Sequence, residues 1–233
     1  MARMSNPAGN NQVLGLFAKR PDPGTVKTRL AAESSPEWAA QVAEALLLDT
    51  MDKLARIPVR HVLAFAPADA EAYFAERSRG RFSLMPQAAG DLGQRMVSFF
   101  RQELQNGAQT VILVGTDSPT LPLPLIEQAF GELAHADVVL GPATDGGYYL
   151  VGCGRKLPPI FDAIPWSTDR VLAETVTRLA GSSWKLALLP PWYDVDTLSD
   201  WQMLVGHVAA MQRAGVDPEL SRIHKLLNTT KGQ

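Results

Sequence analysis

The chain has 233 residues, 46% of them hydrophobic and 20% charged, with 22 Lys and Arg against 24 Asp and Glu. That length suits one large or two small folded domains, and a net charge of −2 argues against a broad nucleic-acid surface. No apolar run reaches the ~20 residues of a membrane span, and a lone Cys153 excludes an internal disulfide or cysteine zinc site, which suits a reducing cytoplasm.

Residues 1–12 are polar, lack the apolar core of a secretion signal and read as a flexible N-terminus. Val13 to Ala18 is a short, continuous apolar run and predicts a buried strand. Pro21, Pro23 and Gly24 impose a loop after it. A long amphipathic helix follows, capped by Ser34 or Ser35, with Pro36 in its first turn and Trp38, Val42, Leu46 and Met51 on its apolar face. Val59 to Phe65 predicts a second strand, and Ala68 to Arg79 a helix closed by Gly80. Phe82 to Met85 is a short strand, and Asp91 to Gln105 a helix ended by Asn106-Gly107. Val111 to Gly115 is a buried strand, Leu125 to Ala134 a helix and Asp137 to Gly141 a strand. Tyr148 to Val151 forms another strand, entered through Gly146-Gly147. Asp169 to Leu179 is helical and Trp184 to Leu189 extended. Ser199 to Arg213 is a helix capped by Ser199 or Thr197, and a polar helix or tail ends the chain.

Strands alternating with helices predict a single α/β domain over residues 13–233, built on a largely parallel sheet. In such sheets the ligand crevice lies beyond the carboxyl ends of the strands. Four segments fall there. After the first strand, Lys19, Arg20, Lys27 and Arg29 share a loop stiffened by prolines. Gly24 lets its backbone approach an anion, and a helix start near Lys27 favours negative charge. This is phosphate chemistry or a solvated basic loop, and it is not a P-loop. After the Val111 strand, Asp117 could hold a hard divalent cation, or cap the next helix. Asp145 sits among glycines that permit close ligand approach or a plain hairpin, with Tyr148 and Tyr149 alternating faces behind it. Asp194 and Asp196 share one face of an extended segment and could approach one cation, unless one caps the last long helix. Ser118 lacks the elbow of a serine nucleophile, and His61, His135, His207 and His224 have no metal-ligand spacing.

Taken together, Lys19-x-Pro-x-Pro-Gly-x-x-Lys-Thr-Arg-Leu30, Gly115-Thr-Asp-Ser-Pro119, Gly141-Pro-x-x-Asp-Gly-Gly-Tyr-Tyr-Leu150 and Asp194-Val-Asp-Thr197 resemble a bacterial family of nucleotide-diphospho-sugar transferase-like proteins. The family has long been classed as a domain of unknown function, and some members are named arsenosugar-biosynthesis glycosyltransferases. It is more distantly similar to phospholactate guanylyltransferase and the molybdenum-cofactor nucleotidyltransferases. Gln87 to Met96 and Trp166 to Thr168 also match, so the resemblance covers nearly the whole chain. It implies the GT-A fold, a Rossmann-like, mixed and mostly parallel sheet with helices on both faces. It also implies that Lys27 and Arg29, with Lys19 and the Gly24 loop, contact phosphates, and that Gly90, Leu92, Gly93 and Arg95 lie near the nucleobase. Asp117 and Asp196 would hold Mg²⁺ or Mn²⁺. Asp145, Gly146, Gly147, Tyr148, Trp166 and Thr168 would face a small-molecule acceptor. One departure is the single carboxylate at Asp117-Ser118, where many GT-A glycosyltransferases carry Asp-x-Asp.

The expected activity is therefore metal-dependent transfer of a glycosyl or nucleotidyl group from an NDP-sugar or NTP. A non-catalytic nucleotide-sensing module on the same fold and a hydrolase are the rival readings. Charge is locally segregated. The first thirty residues hold five cations against one acid, and Pro190 to Asp200 holds three acids and no cation.

Overall fold

The computed structural model describes residues 11–230; residues 1–10, most of the expected flexible N-terminus, lie outside the described residues. Strand β1 (Gln12–Lys19) begins inside that expected tail, because Gln12 already pairs with Thr110. Four consecutive buried residues in β1 show why its pattern is a continuous apolar run: both faces of the strand are covered.

The chain then runs α1 (Thr28–Ala32), α2 (Pro36–Leu54), β2 (Arg60–Ala66), α3 (Glu71–Ser78), β3 (Ser83–Pro86), α4 (Leu92–Gln105), β4 (Thr110–Val114) and α5 (Leu123–Glu132). It continues with β5 (Val138–Pro142), β6 (Tyr148–Cys153), α6 (Val171–Thr177), β7 (Leu186–Leu188), α7 (Leu198–Arg213) and α8 (Ser221–Thr230). Seven strands form one sheet in the order β3-β2-β1-β4-β6-β5-β7. Only β6 runs against its neighbours, pairing antiparallel with both β4 and β5. This is the mixed, mostly parallel sheet expected of the fold.

Caps account for the helix boundaries. Ser35 accepts from the Trp38 amide, with Pro36 in the first turn of α2. Asp91 and Gln94 form a reciprocal capping box on α4, and Thr197 and Asp200 another on α7. The expected helix from Ala68 is instead a 3-10 turn (Ala68–Ala70) leading into α3. Helix α6 and strand β7 are shorter than their apolar patterns suggest, because turns at Pro165–Arg170 and Thr177–Ser182 take up their flanks.

Strand alternation divides the core between the two sheet faces. Leu14, Leu16, Phe65, Ile112 and Tyr149 pack against α2, α3 and α5 on one face. Val13, Val62, Val111, Leu113 and Val151 pack against Phe99, Phe100 and Phe161 on the other. Gly15 is required there: a Cβ would lie 2.2 Å from the Phe99 ring, so only glycine lets α4 seat on β1.

The C-terminal segment, expected as a polar helix or tail, is an amphipathic helix with a buried anchor. Ile223 and Leu220 join Leu46, Trp201 and Leu204 in a third apolar cluster between α2, α7 and α8. Asp49 of α2, 1% exposed, accepts from the backbone amides of Arg222 (3.1 Å) and Ile223 (3.0 Å) and from the Arg222 guanidinium (2.9 Å). A carboxylate at a helix N-terminus is well placed for that helix dipole.

Cys153, at the end of β6, is 1% exposed, and burial pushes its thiol up to about 12. The native protein should therefore resist thiol-directed alkylation at pH 8 and react fully once unfolded in guanidinium, as mass spectrometry of the labelled chain would show. Rapid labelling of the folded protein would contradict this burial.

Candidate functional site

Because β1 and β4 are parallel neighbours, the loops leaving their carboxyl ends emerge side by side. The first carries Lys19 to Lys27 and the second Gly115 to Ser118. A third segment, from Tyr193 to Thr197, joins them through the Val195 amide, which donates to the Asp117 carbonyl at 2.9 Å. A cleft of about 470 Å³ opens over this junction. Its floor carries Lys27, Asp117, Ser118, Asp194 and Asp196, and its walls include Phe17, Gln87, Leu92, Met96, Tyr148 and Tyr149.

Lys27 occupies the centre. Its ammonium lies 2.5 Å from Asp117 Oδ1 and 2.8 Å from Asp196 Oδ1, with only 6% of the side chain exposed. Burial alone would lower its pKa, but the two carboxylates outweigh that and hold it above the ordinary lysine value. Lys27 does not simply open a helix toward an anion, as the loop pattern suggested. It precedes the five-residue α1 in a left-handed conformation (φ 47°), and its side chain turns inward to the acids.

Both aspartates are freed from the capping alternative. Helix α5 begins at Leu123, after Pro122, and α7 is capped by Thr197, so neither Asp117 nor Asp196 caps a helix. Asp194 is the third carboxylate. It accepts a hydrogen bond from the Ser118 hydroxyl. Burial pushes it up to about 7, with the Ser118 bond opposing and the charges of Asp117, Asp145 and Asp196 adding. Sequence spacing placed Asp194 beside Asp196 on one face. It carried no sign that Ser118, 76 residues away, would hold it.

The donor set is one of hard carboxylate oxygens, which suits Mg²⁺ or Mn²⁺. Among the described residues no group of three or more His, Cys, Asp or Glu side chains has metal-site geometry, so phosphate and water oxygens would have to complete the shell. The acids fit a divalent cation on that condition.

Of the other candidate residues, three join the cleft lining and the rest lie outside it. Lys19, Leu92 and Tyr148 line the cleft with Lys27 and the acids. Lys19 Nζ donates to the Thr25 carbonyl at 2.8 Å, and Leu92 leaves 44% of its surface exposed at the start of α4. Tyr148 projects toward Trp166, edge to face at 6.4 Å, whereas Tyr149 packs on the opposite face of the sheet. Arg29, exposed on α1, and Gly24, at φ 77° in open space, lie outside the cleft lining.

Gly90, Gly93 and Arg95 build the wall from behind. Arg95 Nε donates to the Gly90 carbonyl at 2.9 Å, and its other arm reaches Gln87 Oε1 at 3.4 Å. Gln87 in turn donates to the Ala64 carbonyl at 2.8 Å, tying this turn to the sheet. A Cβ on Gly93 would stand 2.6 Å from Trp166 Nε1 and 2.8 Å from the Phe161 carbonyl. Gly93 thus touches Trp166, although the resemblance assigns one to the nucleobase and the other to the acceptor. Asp145 accepts from the Gly147 amide at 2.9 Å, and Gly146, at φ 91°, accepts from the Leu172 amide at 2.8 Å. Thr168 closes a local turn onto the Pro165 carbonyl at 2.7 Å.

Two outcomes follow from this packing. Gly93→Ala should destabilise the protein by about 1–3 kcal/mol through overpacking, with a shift in tryptophan emission as Trp166 moves. Urea titration followed by fluorescence reads both, and an unchanged midpoint would contradict the close approach. In the cation-free protein the unfolded Asp194 loses its proton near pH 4 while the folded one keeps it to about 7, so stability falls as pH rises through that window. Asp194→Asn should remove a fall of on the order of 2–4 kcal/mol between pH 4.5 and 7.5. Parallel pH profiles of the two proteins would show that Asp194 is not the titrating group.

With the fold and cleft described, likeness to other proteins can be placed on them. No curated protein matches the chain. A provisionally named nucleotide-diphospho-sugar transferase from Desulfovibrio desulfuricans G20 superposes with a TM-score of 0.84 at 30% identity, over 93% of this chain and 95% of that one. A cytidylyltransferase from Leptospira borgpetersenii (TM-score 0.57, 10% identity, 96% of each chain) shares the fold. So does the inositol-1-phosphate CTP transferase of T. maritima (TM-score 0.52, 15% identity, 89% and 98% of the two chains). Residues 48–168 match the family described as uncharacterized protein conserved in bacteria, DUF2064, and this chain belongs to that family.

Proposed function

We propose that this protein is a metal-dependent transferase that binds an NTP or NDP-sugar in the cleft and passes a nucleotidyl or glycosyl group to a small acceptor. The observation that carries the reading is the convergence of Lys27, Asp117 and Asp196 beneath a cleft at the carboxyl ends of β1 and β4. Cations and hard carboxylates at that place suit a polyphosphate with its counter-ion. The similarity to a nucleotide-diphospho-sugar transferase over nearly the whole chain supports it.

In this reading Lys27 and Lys19 face the phosphates from the β1 side, and Arg29 meets those that reach beyond the cleft. Phe17, Leu92 and Met96 supply an apolar wall for the base or ribose. The acceptor enters past Tyr148 and Asp145, and no protein nucleophile is needed. Mg²⁺ or Mn²⁺ held by Asp117 and Asp196 would neutralise phosphate charge. In nucleotidyl transfer an acceptor oxygen bonds to the α-phosphorus and the bond to pyrophosphate breaks. In glycosyl transfer the same oxygen bonds to the anomeric carbon and the bond to the nucleoside diphosphate breaks. Positioning and electrostatics serve both.

Incubation with each NTP should release pyrophosphate, or with each NDP-sugar a nucleoside diphosphate, when Mg²⁺ or Mn²⁺ and an acceptor are present. Asp117→Ala should reduce that turnover by about two orders of magnitude or more while leaving the circular dichroism spectrum unchanged. The reading fails if neither nucleotide class shifts the melting temperature with either cation. Near-wild-type turnover in the variant removes Asp117 from the site.

A further inference from the structure

A divalent cation seated between Asp117 and Asp196 would compete with Lys27 for the same two carboxylates. Its ammonium sits 2.5 Å from Asp117 Oδ1 and 2.8 Å from Asp196 Oδ1, so both acids spend a lone pair on one monovalent charge. A divalent cation placed between those carboxylates would face that ammonium across a few ångströms with little water between, because the lysine side chain is only 6% exposed. The seat does not readily take a divalent ion beside the ammonium. Nor can Lys27 leave it for nothing, since a buried ammonium that loses both partners keeps its desolvation and gains no compensation.

The backbone beneath the lysine is strained. Lys27 is a non-glycine residue at φ 47°, a conformation that L side chains rarely adopt, so its inward seat is held against local preference. It ends the loop that contains Gly24 at φ 77° with open space around it, and the next helix has only five residues. Beyond Lys27, Leu30 of that helix is anchored among Val42 and Leu46 of α2. The cleft opens directly over the ammonium, and Lys19 and Thr25 line it beside Lys27.

We propose that Lys27 is a built-in counter-ion that excludes the divalent cation until an anion in the cleft draws the lysine away, so that metal and nucleotide phosphate bind as a coupled pair. An incoming polyphosphate offers Lys27 replacement partners, and its departure from Asp117 and Asp196 exposes their oxygens. The coupling is reciprocal: the cation strengthens phosphate binding by the factor by which phosphate strengthens cation binding. The inference rests on the transferase reading only for the identity of the anion; the competition between Lys27 and the cation stands on the geometry alone.

Binding of Mn²⁺ alone, followed by the electron paramagnetic resonance of the free ion, tests the competition without any nucleotide. Lys27→Met should bind Mn²⁺ at least about tenfold more tightly than the wild type, because a positive charge is removed beside the ion. Equal or weaker binding by a folded variant overturns the proposal. If the carboxylates left without Lys27 prevent folding, recovery of the native circular dichroism spectrum by millimolar Mn²⁺ but not by equivalent NaCl supports it. Wild-type crystals give an independent reading. After a soak in millimolar Mn²⁺ alone they should show no anomalous peak at Asp117 and Asp196. With Mn²⁺ and the nucleotide that stabilises the protein in thermal shift, the peak should appear with Lys27 Nζ displaced. A manganese peak with Lys27 still paired to both acids overturns it. Failure of every nucleotide to bind would sink the transferase reading and leave the Mn²⁺ comparison intact.

Discussion

Repulsion among carboxylates is the constraint around which the cleft end of this molecule is organised. The topology brings Asp117, Asp194 and Asp196 to one point, from segments separated by 76 residues and more. Three anions partly removed from water at such range cannot all remain charged without compensation. Two are compensated by Lys27 and the third by the Ser118 hydroxyl together with a raised proton affinity. Each device comes from a different stretch of chain: the loop after β1, the loop after β4 and the segment before α7.

The sheet makes that meeting possible. Placing β1 beside β4 sets a basic loop against an acidic one, and reversal of β6 brings Tyr148 and Tyr149 to the same end as the outgoing loops of its neighbours. Behind the cleft, Arg95, Gln87 and Gly93 connect its wall to the sheet and to Trp166. The wall is thus held by backbone carbonyls and by one position with no room for a side chain. That arrangement favours a site prepared before its ligand arrives.

Much of the fold is legible because its signals are local. Val111 to Val114 reads as a buried strand from four residues, and Ser35 and Asp91 announce α2 and α4 through caps that reach only three residues ahead. Where the signal is shared between strongly local and tertiary preferences, boundaries shift, as at α6 and β7. The anionic half of the site was partly legible: Asp194 and Asp196 are two apart on an extended segment. Its cationic half is legible as charge but not in its pairing. Lys27 sits in a loop rich in positive charge and looks like a ligand-facing residue, yet its partner Asp196 lies 169 residues on. No spacing rule reaches that far. On α8 the apolar spacing of Ile223, Leu226 and Leu227 is local, whereas the buried polar partner Asp49 lies 174 residues back.

Asp49 has a consequence for the order in which the protein can be completed. Its carboxylate is buried on α2 and, among the described residues, finds its donors at Ser221, Arg222 and Ile223, 172 to 174 residues further along the chain. During synthesis the ribosome delivers α2 long before those groups exist. Until they emerge, the carboxylate must stay hydrated, and the face of α2 that carries Leu46 must stay open with it. The outer face of α2 is therefore translated early but closed late, and the final turn-over of α8 onto α2 acts as the clasp of a band whose two ends meet only when the whole length has been drawn through.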